Sequence, residues 1–242
     1  MSILRMMLRE IQHRKLNFLV ALVAVCAAVA LVVAVRTMCD ASRRETTRLM
    51  RDMGFNVLIL PKDAQMDEFW ADDYAEAEMP ERYVHKLANS RIFTVRHLWA
   101  RLQKKTNFRG RAVLLTGVLD EVPMAHRPRK SPMAQAVPPG QVHVGFQVAR
   151  GAGITEGDEI ELAGRTFHVS RILPERGSKV DLRIFANLHD VQEALGKPGL
   201  INEIQAIDCL CLTSARETLS QLRRELAQVL PEAQVFQLEA QA

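Results

Sequence analysis

Three carboxylates, Asp158, Glu159 and Glu161, crowd the stretch TEGDEIEL. Neighbouring carboxylates can divide general-acid and general-base work when a pocket pushes their pKa values apart. Here they fall in a turn and on the first strand of a hairpin, where carboxylates usually face solvent. His168 lies among alternating strand residues with no second histidine at a ligand spacing, and reads as structural. Cys209 and Cys211 alternate on a strand and share one face. A single C-x-C lacks the second ligand pair that a zinc site needs, so both read as small buried apolar residues. Gly151, Gly153 and Gly157 have neither the spacing nor the strand-to-helix setting of a dinucleotide fingerprint. No H-E-x-x-H, G-x-S-x-G or G-x-x-x-x-G-K-[ST] occurs, which excludes P-loop hydrolysis of ATP by this chain. The expectation is a chain that is not an enzyme and carries no cofactor and no metal.

The elements that would carry any function are of another kind. LNFLVALVAVCAAVALVVAV, Leu16 to Val35, is uncharged and long enough to cross a hydrocarbon core of ~30 Å as a helix. Leu16, Phe18, Leu22, Cys26, Leu31 and Val35 are its expected membrane-embedded residues. The run exceeds the ~7–15 residues of a signal h-region, and Arg36, Thr37 and Met38 make a poor cleavage context, so a retained anchor is expected. Arg5, Arg9, Arg14, Lys15 and Arg36 are expected at the membrane interface. Lys and Arg nearly balance on the two sides, so the positive-inside rule alone does not orient the span. A short cytoplasmic tail with the large domain outside is the default.

Charge obeys the same division. Residues 1–52 hold nine Lys/Arg against four Asp/Glu, whereas the rest holds 23 against 24. The basic balance therefore belongs to the membrane-proximal part, where it suits anionic headgroups. It does not mark a nucleic-acid surface, and no nucleic-acid partner is expected.

Before the span, residues 1–15 place Ile3, Leu4, Met7, Leu8 and Ile11 at helical spacing, as in a basic amphipathic helix lying in the interface. After it, residues 36–53 run without Gly or Pro and predict a stalk helix. Residues 54–242 then read as a globular domain. FNVLILP is a β-prone run ended by Pro61, and the acidic stretch after it reads as unstructured, with Trp70 and Tyr74 packing on the domain or forming a contact patch. Pro80 is expected to open a short helix to Ser90. Residues 92–103 and 111–118 predict an antiparallel strand pair joined by the polar turn KKTNFRG. Five prolines between Val122 and Gly140, beside Arg127, Arg129 and Lys130, mark a loop. A short helix ending at the glycines, a hairpin turning at Gly164, a helix capped by Asn187, a strand over residues 202–213, a helix with the capping box Ser214 and Glu217, and a final strand complete the chain. Helices layered on a mixed sheet are the expected architecture.

This order of parts resembles the MacB/FtsX-like permease family, the membrane subunits of type VII ABC transporters. The resemblance starts at LREIQHRKLNFLVALVAVCAAVA and continues at GFNVLILPKDA. It is most specific at HVGFQVARGAGITEGDEIELAGRTFHVSRILPERG and closes at VDLRIFANLHDVQEALGKPGLINEIQAI. It implies an α+β fold: one transmembrane helix with a stalk, then a two-lobed periplasmic domain in which a β-rich lobe, about residues 120–180, is inserted into a mixed α/β lobe. It also implies a cytoplasmic ABC ATPase, a second permease chain and the lipid membrane as partners, with a single pass through the cell inner membrane. The work implied is mechanical: export, or extraction of lipoproteins or lipids. The family pattern continues with three further spans, so this chain is expected to be a fragment, half of a split permease or a stand-alone single-span relative. The other reading is a membrane-anchored binding or adaptor module without ATP coupling.

Overall fold

The computed structural model describes residues 14–53, 56–91, 95–126, 132–134, 136–207 and 215–237. The basic amphipathic helix read over residues 1–15, the cluster at Arg127, Arg129 and Lys130, Cys209, Cys211 and the Ser214 cap lie wholly or mostly outside them. The chain divides into two compact units, Met1–Met53 and Gly54–Ala242.

In the first unit one uninterrupted helix, α1 (Lys15–Met53), contains 39 residues and no glycine or proline. At 1.5 Å per residue that is a rod of about 58 Å.

The second unit is built on a mixed sheet of nine described strands. In chain order these are β1 (Val57–Pro61), β3 (Arg96–Phe108), β4 (Arg111–Val118), β5 (Gln141–Val144), β6 (Glu159–Leu162), β7 (Arg165–Ile172), β8 (Arg183–Asn187), β10 (Glu203–Ile207) and β11 (Ala233–Gln237). Across the sheet they run β11-β1-β10-β3-β4-β8-β5-β7-β6. Only the β4–β8 and β5–β7 pairs are parallel. Two short strands, β2 (Met79–Pro80) and β9 (Leu200–Ile201), form a separate ladder. The stretch read as an inserted β-rich lobe supplies β5, β6 and β7 at one end of the large sheet.

Strand alternation sorts the core. One face carries Ile59, Leu98, Ala100, Leu102, Leu115, Ile184 and Ile204, all fully buried in the principal cluster. Helices α3 (Arg82–Asn89), α4 (Phe146–Ala152), α5 (Leu188–Ala194) and α6 (Ala215–Val229) contribute Val84 and Leu87, Val148, Leu188 and Val191, and Leu222 and Leu226 to it. Gly117 lets α5 come down on β4: a Cβ there would stand 2.7 Å from Val191 Cβ and 3.2 Å from Leu188 Cα. The other face is covered in patches. Leu58 and Leu60 pack with Phe69 and Ala75, and Val118 and Phe185 pack with Val137.

Three local expectations need correction. The acidic stretch after β1 is not wholly unstructured, because Met66–Asp72 forms helix α2. Phe69 buries itself on Leu58 and Leu60, and Asp67 and Glu68 suit the positive end of the helix. Packing, not intrinsic propensity, makes so short a helix stable. Pro80 opens no helix; it pairs with Leu200, and α3 begins at Arg82. The polar run after Gln103 is strand through Phe108, since Lys104, Lys105, Thr106 and Asn107 all pair with β4. The turn is only Arg109–Gly110, both at positive φ (49° and 78°), as a two-residue hairpin of matching twist requires.

Candidate functional site: an apolar helix and a charged band on one sheet face

The apolar run is the first candidate. Phe18–Cys39 is a 22-residue stretch long and apolar enough to cross a membrane, and none of it is buried inside its unit. Leu16, Phe18, Leu22, Leu31 and Val35 are all exposed, Leu16 by 79% and Leu31 by 66%, and Cys26 is exposed as well. Water would penalise so continuous an apolar surface at roughly 25 cal/mol for each Å², whereas hydrocarbon would not. Thr37 satisfies its hydroxyl internally by donating to the Val33 and Ala34 carbonyls at 2.9 Å. Arg14 stands just before α1, Lys15 opens it, and Arg36 comes after the charge-free run within the same helix. Arg5 and Arg9 lie outside the described residues.

The second candidate is a buried charged band crossing the sheet in the second unit. Arg101 on β3 and Glu203 on β10 are register partners and form an ion pair, with side chains 7% and 1% exposed. The Gln103 side-chain amide also donates to Glu203. Gln103 in turn accepts from Arg183 Nη1 at 2.6 Å, and Arg183 pairs with Asp73, which Lys179 approaches to 3.4 Å. Asn202 seals the band: it accepts from the Gln103 amide at 2.9 Å and donates to the Ala75 and Gln103 carbonyls at 2.7 and 2.8 Å. The Nε atoms of Arg101 and Arg183 are buried without a hydrogen-bond partner. Burial pulls the pKa of Arg101 down, Glu203 opposes that pull, and the neighbouring Arg183 charge reinforces it. Arginine does not give up its proton under such a pull. The band is therefore a fixed charge lattice, not an acid–base pair.

The residues singled out for chemistry are dispersed. Asp158 caps its own turn, accepting from the Thr155 amide at 2.8 Å, and that bond holds its carboxyl below the usual range. Glu159 and Glu161 lie on the exposed side of β6, and the exposed His168 stands opposite Glu159 across the hairpin. Among the described residues no three His, Cys, Asp or Glu side chains converge as metal ligands would.

Sequence reading missed two clusters. One is the band itself: Trp99, Arg101 and Gln103 alternate with Ala100 and Leu102, a pattern that signals a solvent face, yet the chain around Asp73–Ala75 roofs it. The other is His97, at φ 56°, paired through Nδ1 with Glu121, which also accepts from the Met133 and Ala134 amides at 2.6 and 3.2 Å. Burial works to raise the Glu121 pKa, but the His97 bond and the two amides outweigh it and hold the carboxyl below its ordinary range. No short-range signal links residues 97, 121 and 133.

The second unit has a mixed-sheet α+β fold of the kind found in the periplasmic region of MacB. No known family profile matches the chain, and no curated protein sequence matches it. Among solved structures, the periplasmic region of MacB from Actinobacillus actinomycetemcomitans is similar with a TM-score of 0.53 at 9% identity, over 78% of this chain and 91% of that one. The extracellular domain of the ABC-type transporter YknZ from Gram-positive bacteria gives a TM-score of 0.46 at 14% identity, over 75% of this chain and 98% of that one. At these identities the likeness is one of fold.

Proposed function

We propose that this chain is the anchor and extracytoplasmic domain of an ABC transporter permease subunit of the MacB/FtsX type. The observation that carries the reading is a conjunction in one chain: a helix apolar over 22 residues precedes a domain with the fold of the MacB periplasmic region. Neither alone identifies a transporter; together they reproduce the order of parts that a membrane-coupled periplasmic domain needs. In this reading α1 crosses the cell inner membrane once, and the second unit lies outside the cytoplasm. A cytoplasmic ABC ATPase and a second permease chain are its partners. The domain performs no chemistry; it acts by movement or by holding cargo, in export or in extraction of lipoproteins or lipids. A rigid, internally neutralised sheet such as the one built on the Arg101–Glu203 band suits that role.

The test is affinity capture of the full chain from detergent-solubilised membranes, with mass-spectrometric identification of the proteins that co-purify. An ABC ATPase together with a second permease chain is the expected recovery. Recovery of neither, from membranes in which both genes are expressed, refutes the coupling. Protease added to sealed spheroplasts supplies the topology: cleavage beyond Gly54 from outside is expected. Protection of that region until the cells are opened would invert the geometry.

A further inference from the structure

A cavity of about 300 Å³ opens between the β3–β4 hairpin tip and α4. Phe108, Val113 and Val148 form its buried walls. Leu182 lines it too and leaves 54% of its surface exposed; among the described residues of the second unit, Trp70 is the only other large apolar side chain so exposed. The volume is twice the ~150 Å³ that takes up one benzene molecule, and it reaches the lower end of the range of ligand sites, ~300–1,000 Å³. Two polar side chains line the cavity, Gln147 and Arg111. Gln147 is engaged, its side-chain amide donating to Glu175 at 3.1 Å. The Arg111 guanidinium has neither a hydrogen bond nor an ion pair among the described residues.

Two features show that this guanidinium is given its place. The first is Gly151. A glycine inside a helix destabilises it relative to alanine, and Gly151 sits within α4 without the positive φ that would call for glycine. What its missing side chain supplies is room: a Cβ there would collide with Arg111 Nη1 and stand 2.8 Å from Cζ. The second is that the end of α4 does not need Arg111. A cation is favoured at a helix C-terminus, but Arg109 already serves it, donating to the Ala152 carbonyl at 2.7 Å. The Gly153 amide closes back on the Ala149 carbonyl. The carboxylates beside this end are spent elsewhere, Glu175 on Gln147 and Asp158 on the Thr155 amide. A charge is thus set at an apolar cavity with none of its donors consumed by the described protein.

We infer that this cavity is a binding site for a small organic carboxylate with an apolar body, its carboxylate on Arg111 and its hydrocarbon part against Phe108, Val113, Val148 and Leu182. A guanidinium meets a carboxylate through two parallel, charge-assisted hydrogen bonds. Mostly apolar walls with a few placed polar groups are the composition of a ligand site. One unengaged guanidinium in the lining balances one negative charge, which suits a carboxylate and not a phosphate monoester carrying nearly two. The volume sets the body at roughly the bulk of two benzene rings, as in a medium-chain fatty acid. The site lies wholly within the second unit and stands whether or not the chain is coupled to an ATPase.

The experiment photolabels the full chain in its native membrane with a diazirine-bearing decanoate and maps the products by mass spectrometry. Labelling on Phe108–Val113, Phe146–Ala152 or Leu182 is expected. Excess decanoate should suppress it, and decanol, which has the chain without the charge, should not. Below saturation, Arg111→Ala should lower labelling at these positions about tenfold, as loss of charge-assisted hydrogen bonds does. Gly151→Ala should lower it as well while leaving Tm unchanged or higher, because α4 gains a better helix former and the guanidinium is displaced. An Arg111 that only packs would not connect those two results. Labelling confined to other parts of the chain, equal competition by decanol, stronger competition by decyl phosphate than by decanoate, or an Arg111→Ala chain labelled like the parent overturns the inference. Capture of the ATPase is scored separately, so the site and the transporter reading fail by different results.

Discussion

The Arg101–Glu203 pair allows a quantitative test of what holds the sheet together. Glu203 is 1% exposed and accepts from both Arg101 and Gln103, so Glu203→Leu removes the carboxylate bonded to Arg101, a residue that is itself 6% exposed. Removing one partner of a buried pair costs about 3–5 kcal/mol, because the other charge remains desolvated. In a domain of this size 1 kcal/mol moves Tm by about 2–4 °C, so the variant should melt roughly 6–20 °C lower. Arg101→Met should cost less than Glu203→Leu, since Glu203 keeps the hydrogen bond from the Gln103 side-chain amide. The double variant should recover most of the loss, because an apolar pair needs no desolvation offset. The assay is thermal unfolding of the full chain in detergent, monitored by tryptophan fluorescence; the ring of Trp99 lies 5.2 Å from the Arg101 guanidinium and reports on the band directly. A Glu203→Leu protein melting within ~2 °C of the parent, or a double variant no better than the worse single, would refute a pair that stabilises through mutual neutralisation.

Other consequences are open to simpler measurements. Gly117→Ala forces a Cβ to within 2.7 Å of Val191 Cβ and should cost about 1–3 kcal/mol by overpacking, seen as a lower Tm; an unchanged Tm would show that α5 is free to move off the sheet. Glu121 has a folded pKa below its unfolded value of about 4.3. Its contribution is therefore complete above the unfolded pKa and fades as pH falls through the folded one. Glu121→Gln should flatten the acid limb of a Tm-against-pH curve, and an identical limb in the variant would be the contrary result. Tyr74 is buried and hydrogen-bonded to Glu76 at 3.0 Å, so burial first and that carboxylate second push its phenol to about 12. Ultraviolet titration should find it protonated well above pH 10, and its contribution to stability should disappear between about pH 10 and 12. In α1, Val25→Arg places a charge mid-span at a cost of about 2.5–3.5 kcal/mol for insertion, and should shift the chain toward the carbonate-extractable fraction. Retention equal to the parent would count against a membrane-embedded helix.

How much of this was legible from sequence depends on how far apart the interacting residues lie. The two hairpins could be read because their signals, a polar or glycine-bearing stretch between alternating strands, are local, although the first turn proves to be Arg109–Gly110 alone and not the whole polar run. Asn187 as a helix cap was legible for the same reason, its side chain accepting from the His189 amide two residues on. Helix α2 was not, because Phe69 reaches its burial on strand β1 through packing that the acidic local composition hides. Nor was the charged band. Its members are spread from Asp73 to Glu203, and the same alternation that puts Ala100 and Leu102 in the core would put Arg101 and Gln103 in water, were it not for the segment lying over them. Strand order is a further limit: nothing in residues 57–61 states that their neighbours come from residues 203–207 and 233–237.

That placement of β1 constrains when the domain can finish. Its first strand is flanked on both sides by strands that are synthesised last, so Val57, Leu58 and Ile59 have no lasting ladder until the chain beyond Ile204 and Val235 has arrived. Contacts so distant in sequence form slowly. In the topology proposed above, a nascent chain delivered vectorially across a bilayer must spend the whole of its passage with Leu58 and Leu60 uncovered. It becomes a folded body only after its C-terminal strand emerges. Holdase chaperones waiting on the far side would therefore find their target at the first strand and lose it when the last one docks.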